Sequence, residues 1–352
     1  MIRINFIPLL IIGLLISGCG TESDPGLIEW NGSWKTMGLE GSYINAVDAS
    51  GDYLFAAGRE QVSRHPLPAA VFDWKDAGPE VDTEISEVSD ILVTEHGFYT
   101  VLRTFPGSSN VPLDFKTLFV SSDHGNTWHN IEINNMERQV RPHVIIELAE
   151  CCDNILYALS GFLYKSEDDG KNWNTLDHGG APRFVYVSEE HQNQIWIGGQ
   201  TNILSAYLEV SKDYGETWES LGQKVAGGFS ESTVYSVVVN PVDEEMILVG
   251  IGGGIRKSED SGESWETVQE GYAILNLANS RTFSERVYGS GLSSEGKLFI
   301  AVSEDYGHSW QIELYPNSPD EIYVNDMVVT TIETEEVVYM GTNRGVYGFR
   351  LQ

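Results

Sequence analysis

One eight-residue string recurs five times along the chain at an almost constant spacing. The copies read SSDHGNTW, SEDDGKNW, SKDYGETW, SEDSGESW and SEDYGHSW, and they begin at positions 121, 166, 211, 258 and 303. They share the pattern S-x-D-x-G-x-[STN]-W, and successive starts differ by 45, 45, 47 and 45 residues. Repeats of about 20–50 residues are the signature of solenoids, propellers and arrays. This string therefore constrains the fold more than any other feature of the sequence.

Two further tryptophans continue the series without the full string. With Trp34 (GSWKTMG) and Trp74 (VFDWKDAG), seven of the nine tryptophans occupy one position of the repeat. Each repeat also contains two short runs rich in β-branched and aromatic residues, such as INAVDAS with YLFAAG or YSVVVNP with MILVGI. Such runs, bounded by Gly, Asn and Asp, predict paired strands. Four-stranded units of about 45 residues in series match the blades of a β-propeller.

The order of the repeat elements predicts how the ring closes. The last strand pair and its third strand, GVYGFRL at 345–351, have no tryptophan strand after them, whereas the Trp34 strand precedes the first pair. We therefore predict an all-β fold, a seven-bladed β-propeller of four-stranded blades, in which residues around 30–38 supply the outer strand of the last blade. This closure leaves no open interface between the first and last blades.

The chemistry of the repeated string predicts a turn rather than a catalytic site. Aspartate accepts hydrogen bonds from nearby backbone N–H groups, glycine adopts positive φ, and tryptophan is large enough to wedge between blades. A calcium site is the alternative because acids cluster in the string, but no copy has the D-x-D-x-D-G-x5-E spacing of an EF-hand loop. We expect no metal or cofactor. The residues expected to act structurally are Asp123, Gly125, Trp128, Asp168, Gly170, Trp173, Asp213, Gly215, Trp218, Asp260, Gly262, Trp265, Asp305, Gly307 and Trp310.

The N-terminus predicts export and lipid anchoring. Arg3 precedes an apolar run from Phe6 to Ile16, which is too short to span a bilayer but suits a signal peptide. The following Ile16-Ser17-Gly18-Cys19 resembles a bacterial lipobox, which implies lipidation of Cys19; the alternative is an ordinary secretory signal. We predict a signal peptide at 1–18, the lipidated cysteine with a flexible tether at 19–26, and a single propeller at 27–352. The expected location is the cell envelope, facing the periplasm or the exterior.

Charge and cysteine content limit the partners. The formal net charge of −31 makes binding of nucleic acid or of anionic lipid unfavourable. We therefore expect membrane attachment through the N-terminal lipid only, and a monomer. Besides Cys19 the chain has only the adjacent Cys151 and Cys152, so a disulfide framework is absent. The adjacent pair forms either a vicinal disulfide or two free loop thiols.

The repeated string resembles the BNR repeat, or Asp-box, of sialidases, sortilin-type receptors, two-domain xyloglucanases and photosystem II stability/assembly factors. The resemblance covers the mature chain and implies a propeller whose Asp-boxes lie on peripheral hairpins, away from the ligand site. It does not fix an activity, because these families include hydrolases and binding proteins. The chain departs from sialidases in lacking their early Arg-Ile-Pro motif.

Arginines in the connections opposite the Asp-boxes are the candidate ligand site. In a propeller of this strand order, those connections surround the mouth of the central channel. Guanidinium groups converging there would bind a carboxylate, sulfate or phosphate, whereas on separate blades they would pair with neighbouring acids. The candidate ligand-binding residues are Arg59, Arg103, Arg141, His143, Arg183, Tyr235 and Arg344.

Two functions fit this sequence. The first is a non-enzymatic, lipid-anchored binding or assembly module that takes a protein or glycan ligand at the propeller mouth. The alternative is an exo-acting, sialidase-like glycoside hydrolase on an acidic sugar. No G-x-S-x-G, H-E-x-x-H or paired C-x-x-C motif is present, and no catalytic residue is assigned.

Overall fold

The chain folds into seven four-stranded antiparallel sheets. The computed structural model describes residues 33–68, 73–82, 84, 86–104, 116–133, 145–152, 154–180, 182–201, 205–226 and 233–351. The predicted signal peptide, Cys19 and the tether lie outside these residues. Within them, helix is limited to one short segment, α1 (Gly222–Ala226), and no helix is long and apolar enough to cross a membrane.

Each sheet has the same strand order from the centre of the ring outwards. The innermost strands are β2 (Ile44–Ala49), β6 (Ser86–Val93), β10 (Glu147–Cys152), β14 (Pro182–Val187), β18 (Val234–Val239), β22 (Tyr272–Asn279) and β26 (Val324–Ile332). The second strands are β3 (Tyr53–Gly58), β7 (Phe98–Thr104), β11 (Ile155–Leu159), β15 (Ile195–Gln200), β19 (Ile247–Ile251), β23 (Val287–Ser293) and β27 (Glu335–Thr342).

The third and fourth strands complete the blades. The third strands are β4 (Val62–Pro66), β8 (Leu118–Ser121), β12 (Leu163–Ser166), β16 (Ala206–Ser211), β20 (Gly254–Ser258), β24 (Phe299–Ser303) and β28 (Gly345–Phe349). The outer strands are β5 (Lys75–Asp76), β9 (His129–Asn130), β13 (Asn174–Thr175), β17 (Glu219–Ser220), β21 (Glu266–Glu270), β25 (Gln311–Leu314) and β1 (Trp34–Gly38). We number the blades 1 to 7 by their innermost strands.

The predicted fold and ring closure are confirmed. Strand β1 pairs antiparallel with β28, with Trp34 opposite Phe349, so the N-terminal strand is the outer strand of blade 7. Innermost strands of neighbouring blades contact one another around the whole ring, including β26 with β2. A buried apolar cluster fills each of the seven interfaces between blades. Burial between blades, rather than within one, therefore provides the hydrophobic stabilisation.

The strand order gives the ring two distinct faces. The connections from second to third strands, and those from one blade to the next, lie on one side, which we call the mouth face. The turns between first and second strands lie on the other side with the Asp-box hairpins, and we call this side the hairpin face. Every innermost strand begins at the mouth face and ends at the hairpin face.

Every complete Asp-box folds into the same hydrogen-bonded turn. The aspartate accepts the backbone N–H of the residue four positions later at 2.8 Å, and the side chain of that residue at 2.6–2.7 Å. The opening serine hydroxyl donates to this aspartate and accepts the N–H of the glycine. Hydrogen bonds from Thr217, foremost from its side chain, lower the pKa of Asp213 to about 2. The aspartates are thus occupied by the turn itself.

The Asp-box glycine fixes each hairpin against the preceding blade. All five glycines have φ between 75° and 92°. A Cβ on Gly125 would lie 2.7 Å from the carbonyl oxygen of Ala77 in blade 1, and one on Gly262 would lie 2.7 Å from Leu221 in blade 4. The glycine is therefore required both for its backbone conformation and for close packing between blades.

Replacing Gly125 by alanine should lower the free energy of unfolding by about 1–3 kcal/mol, because the new Cβ meets backbone and the positive φ becomes strained. Urea denaturation of the purified protein measures this loss. Gly51→Ala is the matched control, since a Cβ added to Gly51 would meet no atom within 4 Å and this glycine does not have positive φ; it should change stability by less than about 0.5 kcal/mol. Equal effects of both variants would contradict the packing role of the Asp-box glycine.

The adjacent cysteines lie at the end of β10. The structure joins Cys151 to Cys152 in a disulfide, which selects one of the two alternatives left open by the sequence. Cys151 is buried among Tyr157, Leu163 and Val185 at the interface between blades 3 and 4. The pair therefore belongs to the packing of the ring and lies outside the site described next.

Candidate functional site

A cavity of about 630 Å³ occupies the central channel and opens among the innermost strands. In most blades the innermost strand has a register shift near its start, at the mouth face. A bulge of this kind re-aims a side chain. Arg183 in β14 and Tyr235 in β18 occupy this position, and both line the cavity together with Arg103. The structure thus brings three predicted site residues to one cavity.

Arg59 and Arg103 converge on one buried carboxylate at the rim of this cavity. Arg103 donates to Glu87 Oε1 through Nε at 2.9 Å and through Nη2 at 2.7 Å. Arg59 Nε lies 3.5 Å from Glu87 Oε2. The side chain of Glu87 is only 8% exposed, whereas those of Arg59 and Arg103 are 60% and 34% exposed. One carboxylate therefore orients two guanidinium groups and leaves a positive charge facing solvent.

Two tyrosines extend the arginine cluster toward blade 7. The guanidinium carbon of Arg59 lies 4.6 Å from the ring centroid of Tyr43, within the range of a cation–π contact. The hydroxyls of Tyr43 and Tyr323 are 3.3 Å apart and share a hydrogen bond. A second cavity of about 360 Å³ lies beside Tyr43 and Arg59.

The remaining predicted site residues are not gathered with this cluster. Arg344 is exposed in the turn between β27 and β28, on the mouth face, and does not line the central cavity. Arg141 and His143 lie outside the described residues. We call Arg59, Glu87, Arg103, Arg183 and Tyr235 the arginine mouth. Its arrangement suits a ligand that carries a carboxylate or another oxyanion.

Below the arginine mouth, four carboxylates line the channel and bind the neighbouring blade. Each accepts a backbone N–H from the next blade of the ring: Asp326 from Val47 at 2.8 Å, Asp48 from Val93 at 2.7 Å, Asp90 from Leu148 at 2.7 Å, and Glu147 from Val185 at 3.3 Å. These bonds connect blades 7, 1, 2, 3 and 4 in sequence. Across the described residues, no group of three or more acidic, His or Cys side chains is arranged to hold a metal ion.

The channel carboxylates are held in a desolvated and mutually repulsive environment. Burial raises the pKa of Asp48 to about 7, although the N–H groups of Val93 and Ala49 oppose the shift. Burial also raises the pKa values of Asp90 and Glu147 well above their usual range, and nearby carboxylates add to the shift. Burial also raises the pKa of Asp326. Near neutral pH, part of this ring is therefore protonated.

The contribution of Asp48 to the stability of the protein should be larger at pH 6 than at pH 8. A carboxyl whose pKa is higher in the folded than in the unfolded protein binds its proton more tightly when folded, so this contribution is lost as pH rises through about 7 for Asp48. One such group changes the free energy of unfolding by at most about 1.4 kcal/mol per pH unit. Urea denaturation at pH 6, 7 and 8 measures the slope. Asp48→Asn should flatten it, and an unchanged slope would contradict this role for Asp48.

At the hairpin face, Arg281 joins its blade to two others. Arg281 of blade 6 forms an ion pair with Glu189 of blade 4, and its Nε donates to the carbonyl of Val329 in blade 7 at 3.3 Å. This contact links three blades across a cavity of about 320 Å³ at this end.

Comparison with known proteins finds a relative that is similar along most of the chain. No known protein-family profile matches this sequence. The chain is 23% identical to the photosystem II assembly lipoprotein Ycf48 of Synechococcus sp. (strain CC9902) over 325 residues. This alignment covers 88% of the present chain and 86% of the lipoprotein.

Solved structures share the fold at low sequence identity. YCF48 bound to D1 peptide matches with a TM-score of 0.66 and 13% identity, over 93% of this chain and all of that chain. The GH74 xyloglucanase from Xanthomonas campestris matches with a TM-score of 0.65 and 14% identity, over 91% of this chain and 54% of the enzyme chain. The chain is thus a seven-bladed β-propeller with the fold shared by Ycf48 and the GH74 enzymes, as the Asp-box resemblance predicts.

Proposed function

We propose that this protein is a lipid-anchored module of the cell envelope that binds a segment of another protein at its arginine mouth and thereby assists an assembly step. The observation that carries the proposal is the convergence of Arg59 and Arg103 on Glu87, at the rim of a cavity that Arg183 also lines. At the rim, Arg59 and Arg103 together carry one more positive charge than Glu87 neutralises, whereas the net charge of the whole protein is −31. Such a local charge favours an anionic ligand over a cationic one.

Similarity to Ycf48 supports a protein ligand. The photosystem II assembly lipoprotein is matched along nearly its full length, and YCF48 has been solved with a peptide bound. Its lipoprotein character also supports an envelope location through Cys19. A peptide with a free C-terminal carboxylate, or with Asp or Glu side chains, has the chemistry that planar guanidinium groups recognise in bidentate fashion.

Peptide binding tests the proposal directly. Fluorescein-labelled peptides with a free C-terminal carboxylate, including a D1 segment, would be titrated with the protein and followed by fluorescence anisotropy, with C-terminal amides as matched controls. We expect binding that weakens as NaCl is raised and is weaker for the amides, because screened charge attraction contributes. Equal affinity for acid and amide would contradict recognition of the C-terminal carboxylate, and binding by no peptide, or binding that does not weaken with NaCl, would contradict the proposed ligand chemistry.

Glycoside hydrolysis is the second candidate. The raised pKa values of Asp90 and Glu147 are a property required of a general acid at neutral pH. Both carboxylates, however, already accept backbone N–H groups of neighbouring blades. A chromogenic glycoside panel distinguishes the candidates: turnover that disappears in both Asp90→Asn and Glu147→Gln would favour the hydrolase.

A further inference from the structure

The N-terminal strand enters the propeller on the hairpin face. Strand β28 starts at the mouth-face turn and ends at the hairpin face, and β1 runs antiparallel to it. Trp34 accordingly lies opposite Phe349, and the N–H of Arg350 donates to the carbonyl of Ser33 at 2.8 Å. Cys19 precedes Ser33 by 14 residues. A lipid on Cys19 would thus attach the propeller from the side opposite the arginine mouth.

Exposed apolar side chains cluster on the same face and in the same arc of the ring. Tyr214, Val242, Phe283 and Leu351 are 39%, 76%, 51% and 36% exposed. They lie in the Asp-box hairpin of blade 4, the first turns of blades 5 and 6, and the end of blade 7. These four residues, which we call the apolar arc, occupy blades 4 to 7 in succession, one on each blade, and the last of these is the blade through which the N-terminus enters. Exposed apolar patches occur where a protein contacts a partner or a membrane.

The mouth face lacks such an arc among the described residues. Its exposed apolar side chains are Phe162 in blade 3 and, three blades away, Leu292 and Leu314 in blade 6. On the hairpin face, acidic residues lie next to the exposed apolar side chains in sequence; Asp243 and Glu244, for example, follow Val242. These acids repel anionic headgroups, so the arc suits a zwitterionic lipid surface.

We infer that the hairpin face of blades 4–7 lies against the membrane that holds the N-terminal lipid, with Val242 and Phe283 in contact with it. The inference rests on the lipid anchoring in the proposed function. It goes beyond attachment through the lipid alone, because the protein surface itself then touches the bilayer. The arginine mouth consequently faces away from the membrane, and its protein ligand approaches from the aqueous side.

Paired fluorescent labels test this orientation. Phe283→Cys and Phe162→Cys replace side chains of similar exposure, 51% and 48%, on opposite faces. The full chain would be expressed with its signal so that Cys19 is processed, labelled at the new cysteine, and reconstituted into phosphatidylcholine vesicles containing a doxyl-labelled lipid quencher. The parent protein, whose Cys151 and Cys152 are joined, gives the labelling background. We expect the label at position 283 to be quenched several-fold more than that at position 162.

The outcomes separate the orientation from the anchoring and from ligand binding. If the protein floats with the vesicles and both labels are equally quenched, or position 162 is quenched more, the orientation is overturned while anchoring stands. If the protein does not float, anchoring through Cys19 is wrong and the inference falls with it, whereas peptide binding in solution is unaffected. A Val242→Asp variant that floats but loses the quenching at position 283 would confirm direct contact by the apolar arc.

Discussion

An Arg103→Glu protein should bind an anionic peptide at least about a hundredfold more weakly than the parent, a loss of about 3 kcal/mol. Arg103 lies directly opposite Glu87 in the register of β6 and β7 and donates two hydrogen bonds to it. The substitution changes the summed charge of Arg59, Glu87 and Arg103 from +1 to −1. It also places a second carboxylate beside one that is only 8% exposed, and the ligand then meets repulsion where it met attraction.

A milder variant keeps this prediction testable if Arg103→Glu folds poorly. The side chain of Arg59 is 60% exposed, so Arg59→Ala should fold like the parent and still weaken binding by several-fold, with a smaller dependence on NaCl. Arg350→Ala is the matched control, since it removes an arginine that pairs with Glu335 on the hairpin face. Fluorescence anisotropy on the same peptide measures all three. Unchanged peptide affinity in both Arg103→Glu and Arg59→Ala would show that the arginine mouth is not part of the peptide-binding site.

The fold could be predicted because the information in the Asp-box is local. Asp213, for example, bonds to residues two positions before and four positions after it, so its role follows from the string alone. The pairing of the Trp34 strand with the last blade could likewise be predicted by counting the strand pairs and the tryptophans along the chain. What the string could not show is its contact with the preceding blade, such as that of Gly262 with Leu221, because that depends on how the blades are stacked.

The site could be predicted only in part. The mouth-face position of Arg59, Arg103 and Arg183 follows from the strand order, and Glu87 opposite Arg103 follows once the register is known. No role for Asp90 or Asp326 could be predicted from the sequence. Their bonds to the next blade connect residues 58 and 279 positions apart in sequence, across interfaces that form only when the blades are stacked.

The carboxylate of Glu336 in blade 7 is held by hydrogen bonds from blade 6. Its side chain is 3% exposed at the start of β27, and every donor comes from blade 6: Ser280 Oγ at 2.6 Å, Thr282 N at 3.0 Å, Arg286 Nη1 at 3.1 Å and Tyr288 O–H at 3.0 Å. Burial alone would raise the pKa of Glu336, but bonds from Ser280, Tyr288 and Arg286 outweigh it and hold the pKa below its usual value. The carboxylate is therefore ionised and fully bonded in the folded protein.

Replacing Glu336 by alanine should lower the free energy of unfolding by about 3–5 kcal/mol, because it leaves several buried donors, including part of a guanidinium group, without an acceptor. Glu304→Ala is the matched control: Glu304 bonds to the same Arg286 but is 55% exposed, so its loss should cost less than about 1 kcal/mol. Urea denaturation measures both. Because the pKa of Glu336 is lowered, its contribution is present above about pH 4.5 and is lost as pH falls further, so the gap between parent and Glu336→Ala should narrow in acid. A gap that stays constant with pH, or equal losses in the two variants, would show that the blade 6–7 interface does not depend on this carboxylate.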